Sequence, residues 1–137
     1  MDYKRILLVD DEVAFTRSLS QVLMFRGYEV EAVDNGRDAL RALGERPFDA
    51  VVLDLKMPGM DGITTLEEIQ QLGLFAQTII LTGHGTDETA EKARAMGAHD
   101  FLHKPFDLDE LLGSIESALK KKARIESKSD LDGLIRS

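Results

Sequence analysis

The 137-residue sequence contains no cysteine. That excludes disulfide staples and thiolate metal sites, and it makes a reducing cytoplasm the expected compartment. No apolar run approaches the ~18–20 residues that a membrane-spanning helix requires, so no membrane role is expected. The chain opens Met-Asp-Tyr-Lys-Arg and passes into a short apolar run, Ile6 to Val9. That run is too short for a secretion-signal core and lacks a small-residue cleavage site. Positive charge is also scarce: 17 Lys and Arg face 25 Asp and Glu, a net charge of -8. Direct nucleic-acid binding, which needs a basic face, is therefore not expected. The one basic cluster, Lys120-Lys121-Lys122 with Arg124, falls at the end of a predicted helix, where the helix dipole favours cations. There is no internal repeat and no low-complexity segment.

What is present suits a single domain. Apolar residues make up 43% of the chain and charged residues 31%, enough for a core beneath a polar surface. Short β-type runs alternate with amphipathic helical stretches. Arg5 to Val9 reads as a strand, and Val13 to Phe25 as a helix with Leu19, Val22 and Leu23 at helical spacing, ended by Gly27. Tyr28 to Val33 alternates like an edge strand with one wet face. Asn35 is placed to cap a helix carrying Ala39, Leu40 and Leu43. Ala50 to Leu53 is wholly apolar, as in a parallel strand covered on both faces. A Pro58-Gly59 turn and a helix from Ile63 to Leu72 follow. Thr78 to Leu81 is a second buried strand, trailed by a Gly83-His84-Gly85 loop and a small-residue helix with Ala90, Ala93 and Ala95, capped by Asp87. A short strand at Asp100 to His103 and a helix from Asp107 with Leu108, Leu111, Leu112, Ile115 and Leu119 complete the series.

Five β-α units predict an α/β fold, a doubly wound parallel sheet with helices on both faces. The runs around Ile6, Val51 and Ile79 are the most apolar and should be central, which suits the flavodoxin-like order 2-1-3-4-5. Residues 1–122 form the predicted domain. Residues 123–137, polar apart from Leu131, Leu134 and Ile135, read as a tail or linker.

The chemistry lies just past the strands. The first strand leads into Asp10 and Asp11, the third into Asp54, the fourth into Thr82 and the fifth into Lys104. In an open parallel sheet these ends share one edge, where ligands bind. Three carboxylates, a hydroxyl and an amine should therefore meet in one shallow cleft. Crowded carboxylates repel each other unless a cation is present, and an all-oxygen site with room for water suits Mg²⁺. A carboxylate can also act as the nucleophile that forms an acyl phosphate, with Lys104 and Thr82 as partners for the phosphoryl oxygens. Glu12 reads as an ordinary first-turn acid. His84, His99 and His103 read as surface or near-surface residues and not as a metal set.

Four segments make the pattern specific: Leu8-Val9-Asp10-Asp11-Glu12, Leu53-Asp54-Leu55-Lys56-Met57-Pro58-Gly59-Met60-Asp61-Gly62, Leu81-Thr82-Gly83 and Phe101-Leu102-His103-Lys104-Pro105-Phe106. Over residues 4–120 the chain resembles the receiver domains of two-component response regulators. The resemblance implies a signalling switch and not an enzyme that turns over an external substrate. It makes Asp54 the phosphoacceptor, supplied by a sensor histidine kinase or phosphotransfer protein. It also makes Asp11, Asp54 and the Lys56 carbonyl direct Mg²⁺ ligands, with Asp10 acting through water, and Thr82 and Lys104 the contacts to the phosphoryl group. Lys104-Pro105 would be a cis peptide. Phe101 stands at the family's switch-aromatic position, and Thr82 and Phe101 would together alter the face made by the fourth helix, fifth strand and fifth helix. That face would regulate a downstream protein or an output domain beyond the chain. A phosphorylation-dependent dimer is a further family option, but Gly113, Ser114 and Glu116 stand where one dimerising subfamily carries charged residues that include arginines.

Two alternatives compete. A haloacid-dehalogenase-type Mg²⁺-dependent phosphatase also uses Asp, Thr and Lys, but it needs Asp-x-Asp at the nucleophile, where this chain has Lys56. Its acidic pair also follows the nucleophile in sequence, whereas Asp10 and Asp11 precede it. A receiver that binds without phosphorylation would be expected to lack the acceptor, the acidic pair or the lysine, and all are present.

Overall fold

A computed structural model describes residues 3–57 and 59–136; Pro58, half of the expected turn, lies outside the described residues. The elements alternate without exception: β1 (Arg5–Val9), α1 (Val13–Phe25), β2 (Glu29–Val33), α2 (Gly36–Glu45), β3 (Ala50–Leu53), α3 (Gly62–Gln71), β4 (Gln77–Thr82), α4 (Asp87–Ala95), β5 (Asp100–His103) and α5 (Leu108–Arg136). All strand pairs are parallel, in the order β2-β1-β3-β4-β5. The three most apolar strands are the interior ones, as their composition predicts. Edge strand β2 keeps a partly wet pattern, whereas every residue of β3 and β4 is buried.

Strand residues alternate between faces, so each interior strand feeds two cores. Leu7, Val9, Val51, Leu53 and Ile80 pack with Ala39 and Leu43 of α2, Leu66 and Ile69 of α3, and Ala90 and Ala93 of α4. Ile6, Leu8, Ala50, Val52, Ile79 and Leu81 pack with Leu19 and Leu23 of α1 and Leu111 and Ile115 of α5. A one-residue slip of any interior strand would exchange the two sets.

The caps follow local chemistry, with one shift from expectation. The Asn35 side chain accepts the Asp38 amide at 2.8 Å, a cap worth about 1 kcal/mol. Thr86, not Asp87, caps α4: its hydroxyl accepts the Thr89 amide while the Thr89 hydroxyl accepts the Thr86 amide. Asp87 and Glu88 fall instead in the first turn, where their charge suits the helix dipole.

Residues 123–136, within the stretch read as a tail, are helical. α5 is 29 residues long, about 44 Å at 1.5 Å per residue. Its fully buried side chains, among the described residues, end at Ala118. Lys122 then pairs with Asp49 at 2.9 Å and Glu126 at 2.7 Å, tying the helix to the start of β3.

Candidate functional site

The sheet ladder extends directly into the candidate residues. The Asp10 amide donates to the Val33 carbonyl at 3.1 Å, the Asp54 amide to Val9 at 2.9 Å and the Lys104 amide to Thr82 at 2.9 Å. A common local turn then orients three side chains. In each case the amide two residues onward donates to the side chain: Glu12 to Asp10 Oδ1 (2.9 Å), Lys56 to Asp54 Oδ1 (3.3 Å) and His84 to the Thr82 hydroxyl (3.1 Å). The peptide joining Lys104 and Pro105 is cis.

The result is a charge cluster drawn from positions far apart in sequence. Lys104 Nζ lies 2.5 Å from Asp10 Oδ2, 3.2 Å from Glu12 Oε1 and 3.6 Å from Asp54 Oδ2. Asp10 and Asp54 are buried, while Glu12 is exposed. Burial pushes the Asp10 carboxyl above its usual range. The Lys104 hydrogen bond and the Glu12 amide oppose that rise, and the Asp54 charge adds to it. Burial alone would lower the Lys104 ammonium, but its bond to Asp10 and the charges of Asp10 and Asp54 carry it above the ordinary lysine value. The site thus holds more negative charge than one lysine comfortably balances.

Asp10, Glu12 and Asp54 can each present one carboxylate oxygen within 4.8 Å of the others. Three hard oxygen donors on one sheet edge fit a small divalent cation. Asp11 does not join this trio but lines the adjoining depression with Glu12, Asp54, Lys56, Met57 and His84. In the sequence Glu12 is explained by the helix dipole alone. Its position two residues past Asp10, on the loop that points at the cleft, was the available signal.

Thr82 and Phe101 lie beneath the surface. Thr82 is the last residue of β4 and fully buried; it does not line the depression. Phe101 is only 5% exposed and packs into the core shared with α4. The two meet at Gly85, where an added Cβ would lie 2.5 Å from Phe101 Cζ and 3.2 Å from Thr82 Cγ2. The aromatic therefore occupies the inward position in this structure.

Known proteins share this fold. The family model of the response regulator receiver domain matches residues 6–116. The transcriptional regulatory protein ZraR of Escherichia coli O157:H7 is 42% identical over 114 residues, covering 83% of this chain and 26% of that protein. The regulatory protein AtoC of Escherichia coli K12 is 40% identical over 116 residues, covering 85% and 25%. The chain thus spans about a quarter of the length of these curated relatives. A crystal structure of a CheY-like receiver domain protein from Methanospirillum hungatei JF-1 superposes with a TM-score of 0.86 at 32% identity, covering 90% of this chain and 98% of that one. The phosphatase alternative gains no support from these comparisons.

Proposed function

Because this chain belongs to the response regulator receiver family, we propose that Asp54 is its phosphoacceptor and that the cluster around Lys104 is the site of transfer. One observation carries this reading: Asp10, Glu12, Asp54 and Lys104, up to 94 positions apart, converge on one sheet edge with Asp54 Oδ2 3.6 Å from the ammonium. A carboxylate oxygen of Asp54 attacks the phosphorus of a phosphohistidine or a small phosphodonor. The new O–P bond forms as the bond to the leaving group breaks, and the leaving group takes the electron pair. Lys104 balances charge on the transferred oxygens, exchanging its bond to Asp10 for one to the phosphoryl group. The Thr82 hydroxyl supplies a second contact once it is drawn from beneath. Asp10, Asp11, Asp54 and the Lys56 carbonyl, with Glu12 adjacent, would hold Mg²⁺, which neutralises the carboxylates and polarises the phosphoryl group. A sensor histidine kinase or phosphotransfer protein would be the donor. A downstream protein or output module would be the reader, with residues 1–122 as the receiver and 123–137 as the linker. The surroundings would be cytoplasmic.

The reading is tested by incubating the protein with acetyl phosphate and following intact mass. One phosphoryl group should be gained with Mg²⁺ and none with a chelator in excess. Equal gain in both conditions would overturn the metal assignment. The raised Asp10 carboxyl fixes the sign of the pH effect. As pH falls, Asp10 takes up a proton before an ordinary carboxylate would, so Mg²⁺ affinity should begin to weaken at a higher pH than for an unperturbed cluster.

Signal transmission follows from the Thr82–Gly85–Phe101 contact. A phosphoryl group adds about 1.5–2 negative charges at the sheet edge, and pulling the Thr82 hydroxyl toward it breaks the bond from the His84 amide at the entry to α4. Phe101 has no hydroxyl to desolvate and is already buried, so the moving parts are the 83–86 loop and α4. Thr82→Ala should still gain the phosphoryl group but lose the beryllofluoride-induced NMR shift changes across residues 86–106. Shift changes equal to those of the parent would rule out this route.

A further inference from the structure

We propose that Phe15 is a positioning residue for Lys104, its ring face holding the ammonium against the acidic cluster while the ammonium changes partners. The inference rests on the transfer role proposed above for Lys104. Phe15 lies in the first turn of α1, half-buried, with Lys104 Nζ 4.3 Å from the ring centroid. The other three approaches to that ammonium are taken by Asp10, Glu12 and Asp54. The ring closes the remaining side, so the nitrogen is held between an aromatic face and three carboxylates with little room for water; the Lys104 side chain is only 16% exposed.

A second contact fixes the ring. Phe15 meets Phe106 edge to face, with centroids 5.9 Å apart and planes at 87°. Phe106 follows Lys104 by two residues and packs on the same core as Leu19 and Leu111. Phe15 is thus bound both to the lysine tip and to the segment that carries its backbone. The two rings clamp the loop between β5 and α5 onto α1.

The physics suits a lysine that must move. A hydrogen bond to Asp10 must break before the ammonium can serve a phosphoryl oxygen. Attraction to a ring face is broad and tolerates a lateral shift, so it persists through the exchange. An aliphatic residue at position 15 would fill the space without supplying that attraction. Lys104 would then be free to settle on Asp10 or drift to solvent.

Phe15→Leu keeps the apolar packing and removes the ring face; Phe15→Tyr keeps the face. Both variants, with Phe15→Met as a second aliphatic probe, are compared with the parent in thermal melting, in the rate of phosphoryl uptake from acetyl phosphate with Mg²⁺, and in the ¹H–¹³C shift of the Lys104 ε-methylene. The parent shift should be displaced by the ring current. Phe15→Leu and Phe15→Met should take up phosphate about fivefold more slowly, the scale of one cation–π contact, and move the Lys104 signal toward that of free lysine. Phe15→Tyr should keep both parent values. Parent-like rates in the aliphatic variants, a Tyr variant as slow as they are, or an unmoved Lys104 signal would each overturn the proposal. If the parent itself takes up no phosphate, the transfer role fails instead, and the Lys104 shift alone still decides whether Phe15 positions the ammonium.

Discussion

Asp54→Ala should gain no phosphoryl group from acetyl phosphate under conditions where the parent gains one, and it should remain folded. Asp54 sits where the most interior strand of the sheet ends, buried, with its amide held by Val9 and one carboxylate oxygen by the Lys56 amide. The second oxygen lies 3.6 Å from Lys104 Nζ, and the residue lines the depression. The other acids are poorly placed to replace it. Asp10 is engaged by both Lys104 and the Glu12 amide, while Asp11 and Glu12 stand exposed on the loop before α1. Stability should change little, because removing one carboxylate from a crowded set relieves repulsion while Lys104 keeps Asp10 and Glu12. Intact mass decides the point: a variant that gains the same adduct as the parent would place the acceptor elsewhere.

Gly62→Ala should be the most damaging single methyl group in the chain that can be added near the site. An added Cβ would lie 2.3 Å from Leu55 Cα, 2.6 Å from the Asp54 carbonyl oxygen and 2.8 Å from the Leu55 carbonyl oxygen. All three are backbone atoms, so no rotamer change relieves the clash. The Gly62 amide also donates to the Leu55 carbonyl at 2.8 Å, fixing the approach. The start of α3 must therefore lift from the segment that follows Asp54. Overpacking of this kind costs about 3 kcal/mol, a fall in melting temperature of roughly 10 °C for a domain of this size. Gly44→Ala is the matched control: it lies in α2 with nothing within 4 Å of an added Cβ. It should melt at or slightly above the parent temperature, since alanine favours helix over glycine. Equal melting temperatures for Gly62→Ala and the parent would show that α3 moves freely there, contrary to the packing described.

The fold was readable because burial and periodicity agreed. Ile6 to Val9, Ala50 to Leu53 and Ile79 to Leu81 are apolar on both faces, and only interior strands of a covered parallel sheet require that. Their ends gave the candidate site, since parallel strands deliver Asp10, Asp54, Thr82 and Lys104 to one edge. What stayed hidden depended on contacts remote in sequence or on adjacent residues of similar chemistry. Glu12 had a sufficient local explanation as a first-turn acid, and its bond to Lys104 spans 92 positions. Thr86 and Asp87 are both able caps, and the capping box with Thr89 chose between them. The polar run after Lys122 offered only one weak amphipathic turn, Leu131, Leu134 and Ile135, to mark it as helix. Its continuation rests on pairs such as Lys122 with Glu126, which sequence alone does not distinguish from a solvated coil.

The central claim is that the acyl phosphate forms on Asp54, and borohydride trapping tests it most directly. The protein is phosphorylated with acetyl phosphate and Mg²⁺, reduced, digested and sequenced by mass spectrometry. Borohydride converts an aspartyl phosphate to homoserine and leaves free carboxylates unchanged. Homoserine at position 54, and absent when Mg²⁺ is withheld, is the predicted result. Homoserine at position 10 or 11, 2-amino-5-hydroxypentanoic acid at position 12, or a phosphoryl group that resists reduction, would contradict the assignment.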